Sequence, residues 1–461
     1  MKLEPIKLPD GFLLGTATSS LQIEGGDRNN NWFRWCEQGR IKDGSHCVVA
    51  CDHWNRVEED IALMRKLNTH TYRMSLEWSR LEPNEDEFDA AAMSHYRREI
   101  QMLNEAGIRP LVTLHHFSNP LWFEDSGSWM NPQAIDRFQR YVEYVVSNLG
   151  DLVSDWVTIN EPNVYAAQSY LLGLWPPGKS SIRAYFQVAR NMVLAHVKAY
   201  RKIHEIRRKM GFDADTMVGV AHHLRVMDPK SNLLPERWLA RVFHYLFEEI
   251  FVTGMAEGRL LFPLGSGYPL GKGKFMDFLG VNYYSRDMVS LSWNPLMLFG
   301  KLEPQQGAPV NDLGWEIYPE GLYRVCKFYW DRFRTPVYIT ENGICDAADR
   351  VRARFIYDHL YQVKRLLDDG VDVRRYYYWS LLDNFEWLEG LSIRFGLVEV
   401  DYTTQTRTIR PSGAFYGEVC RNRGVTPEMI REYLDQLTMG NHGQPASHKQ
   451  ADYRLQPHCR A

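Results

Sequence analysis

Two glutamates occupy positions from which a chain can do acid chemistry. Glu161 closes the run Thr158-Ile159-Asn160-Glu161-Pro162, and Glu341 sits in Tyr338-Ile339-Thr340-Glu341-Asn342-Gly343. Each follows a β-branched or aromatic stretch and precedes a residue that interrupts regular structure. That pattern delivers a carboxylate to the end of a strand. Two carboxyls facing one cavity are the minimum equipment for cleaving a glycosidic bond with retention. One must be ionised and the other protonated, about 5–5.5 Å apart. The two segments lie far apart in the chain, so they belong to different strands of one large sheet.

Strand-like and helix-like segments alternate along the whole sequence. Strands are expected at 12–18, 71–76, 110–115, 155–159, 216–220, 278–282, 336–339 and 376–381. Helical spacing of Val57, Ile61, Met64 and Leu67 marks a helix over 54–67. A clearer one carries Ile135, Phe138, Val142, Val145 and Leu149, with Asn131 as cap, Pro132 in the first turn and Gly150 as stop. Ile356, Leu360, Val363 and Leu367 mark a third, ended by Gly370. Parallel strands need long crossovers, usually helices. Eight strands with helices between them therefore predict an α/β fold, a single (β/α)8 TIM barrel with elaborated βα loops over residues 1–439. An open doubly wound sheet is disfavoured because no GxGxxG follows the first strand. Residues 440–461 are polar and aperiodic and read as a surface-draped or disordered tail.

Composition excludes several classes. Net charge is −3 with the two signs well mixed, so no nucleic acid partner is expected. No apolar run approaches the ~20 residues needed to cross a bilayer, and the N-terminus has no secretory h-region, so a cytoplasmic protein without a membrane partner is expected. The seven cysteines are scattered. Cys47 and Cys51 are four apart, but no second cluster completes a zinc site, so ordinary reduced thiols and no metal are expected. Aromatic residues reach 13%, enough to furnish both a core and flat walls against which a sugar ring can stack.

Active sites of such barrels lie at the C-terminal ends of the strands. Polar and aromatic residues expected in or after the strands form a coherent set: Gln22 and Glu24, Arg73, His116, Asn160 and Glu161, Asn282 and Tyr284, Glu341, and Trp379, Glu386 and Trp387. Singly, a strand-end Asn is a turn residue and a Trp is core; together they point to one rim.

The chain resembles the retaining β-glycosidases of glycoside hydrolase family 1 from about Phe12 to about Arg407. The resemblance rests on the segments 15–25, 72–80 (Tyr-Arg-Met-Ser-Leu-Glu-Trp-Ser-Arg), both glutamate motifs and 379–387 (Trp-Ser-Leu-Leu-Asp-Asn-Phe-Glu-Trp). It implies Glu341 as nucleophile and Glu161 as general acid and base. Arg73 and Tyr284 would keep Glu341 charged, and Asn160 would hold the sugar 2-hydroxyl. Gln22, His116, Glu386 and Trp387 match positions for the other hydroxyls, and Trp379 matches the platform beneath the ring. Asn282 matches a position near the acid/base. Phe117, Trp175, Trp315 and Phe395 are expected to line the pocket. The family commonly has His-Trp after strand three, where this chain has His116-Phe117, so one indole contact is lost and a neutral variant is expected.

Relatives that take 6-phosphorylated sugars resemble one another in placing Ser where this chain keeps Glu386, and plant thioglucosidases carry Gln at the position of Glu161. The resemblance therefore implies a small-molecule substrate, an unphosphorylated β-D-glucoside. β-Galactosides and β-fucosides would be secondary substrates and transglycosylation a side activity, with no cofactor required. A barrel that only binds sugar is disfavoured by the presence of both glutamates.

Overall fold

Eight parallel strands pair edge to edge until the last meets the first. In the computed structural model, which describes residues 3–294 and 298–434, they are β1 (Leu13–Ala17), β2 (Thr71–Ser75), β3 (Arg109–His115), β4 (Asp155–Asn160), β5 (Met217–His223), β6 (Phe278–Asn282), β7 (Val337–Asn342) and β8 (Val373–Trp379). The order β1 to β8 follows the chain around a closed barrel. The strands are almost entirely buried, because helices cover their outer face and side chains fill the inside. The expected tail over 440–461 lies outside the described residues.

Helices α1 (Val57–Lys66), α2 (Ala90–Glu105), α3 (Ala134–Leu149) and α4 (Ile182–Lys209) pack outside the first half of the barrel. Helices α5 (Glu320–Phe333), α6 (Arg352–Asp368) and α7 (Pro411–Asn422) cover the second half. In α3 the buried stripe is Phe138, Val142, Val145 and Leu149 as expected, joined by Tyr141 and Val146, while Ile135 is only partly buried. The helix begins at Ala134 with Gln133 as its cap. Asn131 instead closes a turn one step earlier, its Oδ1 accepting from the Gln133 amide at 2.9 Å. Pro132 therefore precedes the helix and does not open it.

Elaborated βα loops are present. A three-stranded sheet of Val226–Pro229, Arg286–Leu291 and Gly300–Glu303 rises after β5 and β6. Inside the barrel, Arg375 of β8 donates to Asp155 of β4 at 2.8 Å near the strand starts. Tyr338, Tyr377 and Phe278 fill the next layer. Above them the lining turns polar, and that upper layer is the site.

Candidate active site

Register brings the strand-end residues together. Arg73 pairs with Ala17 of β1 and Leu111 of β3, and Glu341 of β7 pairs with Asn282 of β6. The Glu161 amide donates to the Ala221 carbonyl at 2.7 Å, carrying the β4–β5 ladder one residue past β4. A cavity of about 770 Å³ opens above this layer, within the roughly 300–1,000 Å³ usual for small-molecule sites. Both acids line it, together with His116, Tyr284, Trp379 and Glu386.

Arg73 is wholly buried and donates in three directions. Nη1 bonds Glu341 Oε1 and the Thr340 carbonyl, Nη2 bonds Asn160 Oδ1 at 2.6 Å, and Nε bonds Thr113 Oγ1 at 3.2 Å. The Tyr284 hydroxyl donates to the other Glu341 oxygen, Oε2, at 2.6 Å. Burial pushes the Glu341 carboxyl up, to about 7; the Arg73 cation opposes this, the Glu161 charge adds to it, and the Tyr284 hydrogen bond lowers it. Burial and the adjoining Glu341 charge push the Tyr284 phenol well above its usual range, so it remains a donor.

A guanidinium only donates, and this fixes every orientation downstream. The Asn160 atom facing Arg73 must be the oxygen, so its amide Nδ2 points to His116 Nε2 at 3.1 Å. That ring nitrogen must accept, which leaves the proton on Nδ1. Burial, then the Arg73 and His115 charges, hold His116 well below its usual range and neutral. Its Nδ1 is buried and has no partner among the described residues.

Asn282 accepts from Thr340 Oγ1 at 2.6 Å. It donates to Asn160 Oδ1 at 3.1 Å and to Glu161 Oε1 at 2.9 Å. The two acids are thus joined through Arg73, Asn160 and Asn282. Glu161 Oε1 receives a second contact from His223 Nδ1 at 3.0 Å, and Oε2 has no hydrogen-bond partner among the described residues.

Aromatic rings form the walls. His116 lies nearly parallel to Trp379 and Trp387, at 20° and 17° with centroids 5.9 Å apart. Phe117 contacts Trp387 and Trp175, and Trp315 meets Tyr284 and Phe395. Phe117, Trp175, Trp315, Trp387 and Phe395 all line the cavity. Phe117, Glu161 and Trp387 have left-handed backbones with φ of +67°, +38° and +50°. Such conformations cost side-chain-bearing residues on the order of 1–3 kcal/mol each and cluster at functional sites. Burial, then the Glu341, Glu389 and Glu161 charges, push the Glu386 carboxyl up to about 8.

The Glycosyl hydrolase family 1 description matches residues 4–260 and 270–425. The chain belongs to glycosyl hydrolase family 1. This family 1 enzyme, a retaining glycoside hydrolase, is 34% identical to a 1,4-beta-D-glucan glucohydrolase of Thermotoga neapolitana, with 91% of this chain and 99% of the relative covered. It superposes on a beta-glycosidase from Pyrococcus horikoshii with TM-score 0.84 at 38% identity, over 93% of this chain and 98% of that one. It also superposes on the beta-glucosidase from Thermotoga maritima in complex with glucoimidazole, with TM-score 0.83 at 32% identity, over 91% and 100%.

Not every strand-end polar residue of this family 1 enzyme reaches the cavity. Glu24 turns away, its carboxylate accepting from Arg80 Nε at 2.8 Å and from the Tyr96 hydroxyl at 2.7 Å. Gln22 lies behind Glu386. It accepts from Ser19 and donates to Asn384, to the Phe385 carbonyl and, at 3.4 Å, to Glu386 Oε2. Arg73 and Asn282 likewise act from beneath the lining. His223 is the functional neighbour absent from the expected set. The run 216–220 stops short of it, whereas β5 continues through Ala221 and His222 to place it at the rim.

Proposed function

We propose that this enzyme hydrolyses unphosphorylated β-D-glucosides from the non-reducing end, with Glu341 as nucleophile and Glu161 as acid and then base. The observation that carries this reading is the unequal treatment of the two carboxyls. Glu341 is met by donors on both oxygens, one of them cationic, which suits an ionised attacker. Glu161 receives its two contacts on one oxygen, leaving Oε2 for a proton aimed at the leaving group.

Attack by Glu341 on the anomeric carbon expels the aglycone oxygen as Glu161 protonates it. Forming the ester removes the Glu341 charge. Glu161, now relieved of that charge, takes a proton from water, and the water releases the sugar. Asn160 binds the 2-hydroxyl. The His116 Nδ1–H has no acceptor among the described residues, and a sugar hydroxyl satisfies it. Trp379 stacks beneath the ring, Glu386 and Trp387 receive the remaining hydroxyls, and Gln22 supports Glu386 from behind. Galactosides and fucosides are secondary substrates, because Glu386 can bind the 4-hydroxyl of either epimer, and a sugar hydroxyl replacing water gives transglycosylation. The catalytic step uses no cofactor.

Kinetics on aryl β-glucosides test the roles. Glu341→Ala loses at least about 10⁴-fold in kcat. Glu161→Ala loses about 10²–10⁴-fold on a poor leaving group but far less on an activated one, and azide restores rate on the latter. Equal losses on both leaving groups contradict the assignment of Glu161, and wild-type turnover in Glu341→Ala contradicts that of Glu341.

A further inference from the structure

Away from the sugar cavity, the loop after β1 folds three soft ligands into one cluster. Cys36 lies in the last turn of the short helix Asn31–Glu37, and the chain returns through His46 to Cys47, eleven residues after Cys36. Cys36 Sγ and Cys47 Sγ lie 3.8 Å apart, and both cysteines are free and buried. One imidazole nitrogen of His46 and the two sulfurs all lie within 4.8 Å of one another. Two thiolates on one tetrahedral zinc, with bonds of about 2.3 Å, stand roughly 3.8 Å apart. The sulfur pair therefore already has the spacing a metal would impose.

We propose that Cys36, His46 and Cys47 form a site for one zinc-class divalent cation. Two thiolates and an imidazole are the donor set such an ion prefers over calcium or magnesium. His46 is prepared for the role. Its Nε2 lies 3.0 Å from Glu37 Oε1, and its Nδ1 accepts from the Val48 amide at 3.0 Å. A metal on Nδ1 exchanges for that single backbone contact. It leaves Nε2–H donating to Glu37, the carboxylate–imidazole pairing that commonly orients a ligating histidine. Glu37 and Asp43 act as negative charges on Cys36, and Asp27 does so on Cys47, so the surroundings favour a cation. His46 and Glu37 are 27% and 62% exposed, which gives the ion an entry path and leaves the fourth position to water. Binding releases the two thiol protons and forms two S–metal bonds and one N–metal bond, with no change of oxidation state.

The site would clip the loop that carries Trp32. Trp32 packs against Trp387 at 4.9 Å and Trp175 at 5.4 Å, so the clip fixes an aromatic wall of the sugar cavity without touching the reacting groups.

The test uses the full chain, purified under reductant, stripped by a chelator and titrated with Co(II). The expected result is one Co(II) per chain with a thiolate-to-cobalt charge-transfer band, displaced by one equivalent of Zn(II). Cys36→Ser and Cys47→Ser lose the band, and His46→Ala weakens binding at least tenfold. Cys51→Ser leaves binding unchanged, because the Cys51 thiol is turned to the Asp383 carbonyl at 2.9 Å. Circular dichroism and aryl glucosidase turnover confirm folding. Where a cysteine variant does not fold, His46→Ala, at a partly exposed position, carries the test. The proposal is overturned by no band in the reduced wild type, by a Cys36–Cys47 disulfide in protein prepared under reductant, or by a band that ignores His46→Ala.

Discussion

Arg73 sets the polarity of the whole site, since every group it touches must accept and every orientation beyond it follows. The consequence of this network for pH can be signed. The Tyr284 hydrogen bond lowers the Glu341 carboxyl against the rise that burial imposes, so Tyr284→Phe raises it. On an activated aryl glucoside, whose departure needs little proton donation, Tyr284→Phe therefore moves the acid limb of kcat/KM up. An unmoved or lowered limb contradicts that role of the hydrogen bond. Of the two acids, His223 hydrogen-bonds only Glu161 among the described residues, so His223→Ala is expected to slow poor leaving groups about 10-fold and activated ones far less. A Brønsted plot against leaving-group pKa reads the difference. Both acids were legible in the sequence because a glutamate after a β-branched run and before Pro or Asn-Gly has few structural uses. His223 was not, because Ala221-His222-His223 looks like the polar end of a loop until the barrel wall buries the backbone around it.

Between elements, the loop after β1 is tied to two helices by a buried ion cluster. His53 Nδ1 meets Asp60 of α1 at 2.7 Å, and Nε2 meets Glu99 of α2 at 3.1 Å; Arg407 closes on Asp60 at 2.9 Å. Burial alone would depress the imidazole, but the two carboxylates outweigh it and raise it to about 10. A folded value above the ordinary ~6.5 means the stabilisation is complete below about pH 6.5 and fades as pH rises toward 10. His53→Gln is expected to cost about 3–5 kcal/mol of unfolding free energy at pH 6 and progressively less toward pH 10. Denaturant melts across that range check it, and a constant difference contradicts it. Strand and helix positions were readable from periodicity, while their ends were not. The start of α3 shows why: Asn131 and Pro132 suit both a helix start and a preceding turn, and the Gln133 amide bonding Asn131 decides for the turn. Glu24 was misplaced on the rim for a similar reason, since sequence gives its position after β1 but not the pull of Arg80 and Tyr96.

At the scale of the molecule, the closed barrel leaves one end polar and open while the Arg375–Asp155 pair sits near the other. Fold and family were legible because eight strand runs and several long motifs agree with one another. Contacts such as the Gln22 amide behind Glu386 needed three dimensions. The difficulty of ionising Glu386 beside Glu341 also predicts selectivity. A 6-phosphate brings two further negative charges to that end, so kcat/KM for an aryl 6-phospho-β-glucoside is expected to be at least about 10²-fold below that for the glucoside. Parity between the two substrates contradicts the hydroxyl-binding role of Glu386. The most direct measurement traps the covalent sugar with an activated 2-deoxy-2-fluoro-β-glucoside and locates the added mass by peptide mass spectrometry. The mass is predicted on Glu341, in one copy per chain and absent from Glu341→Ala; a sugar found on Glu161, on another side chain or on none would contradict the account.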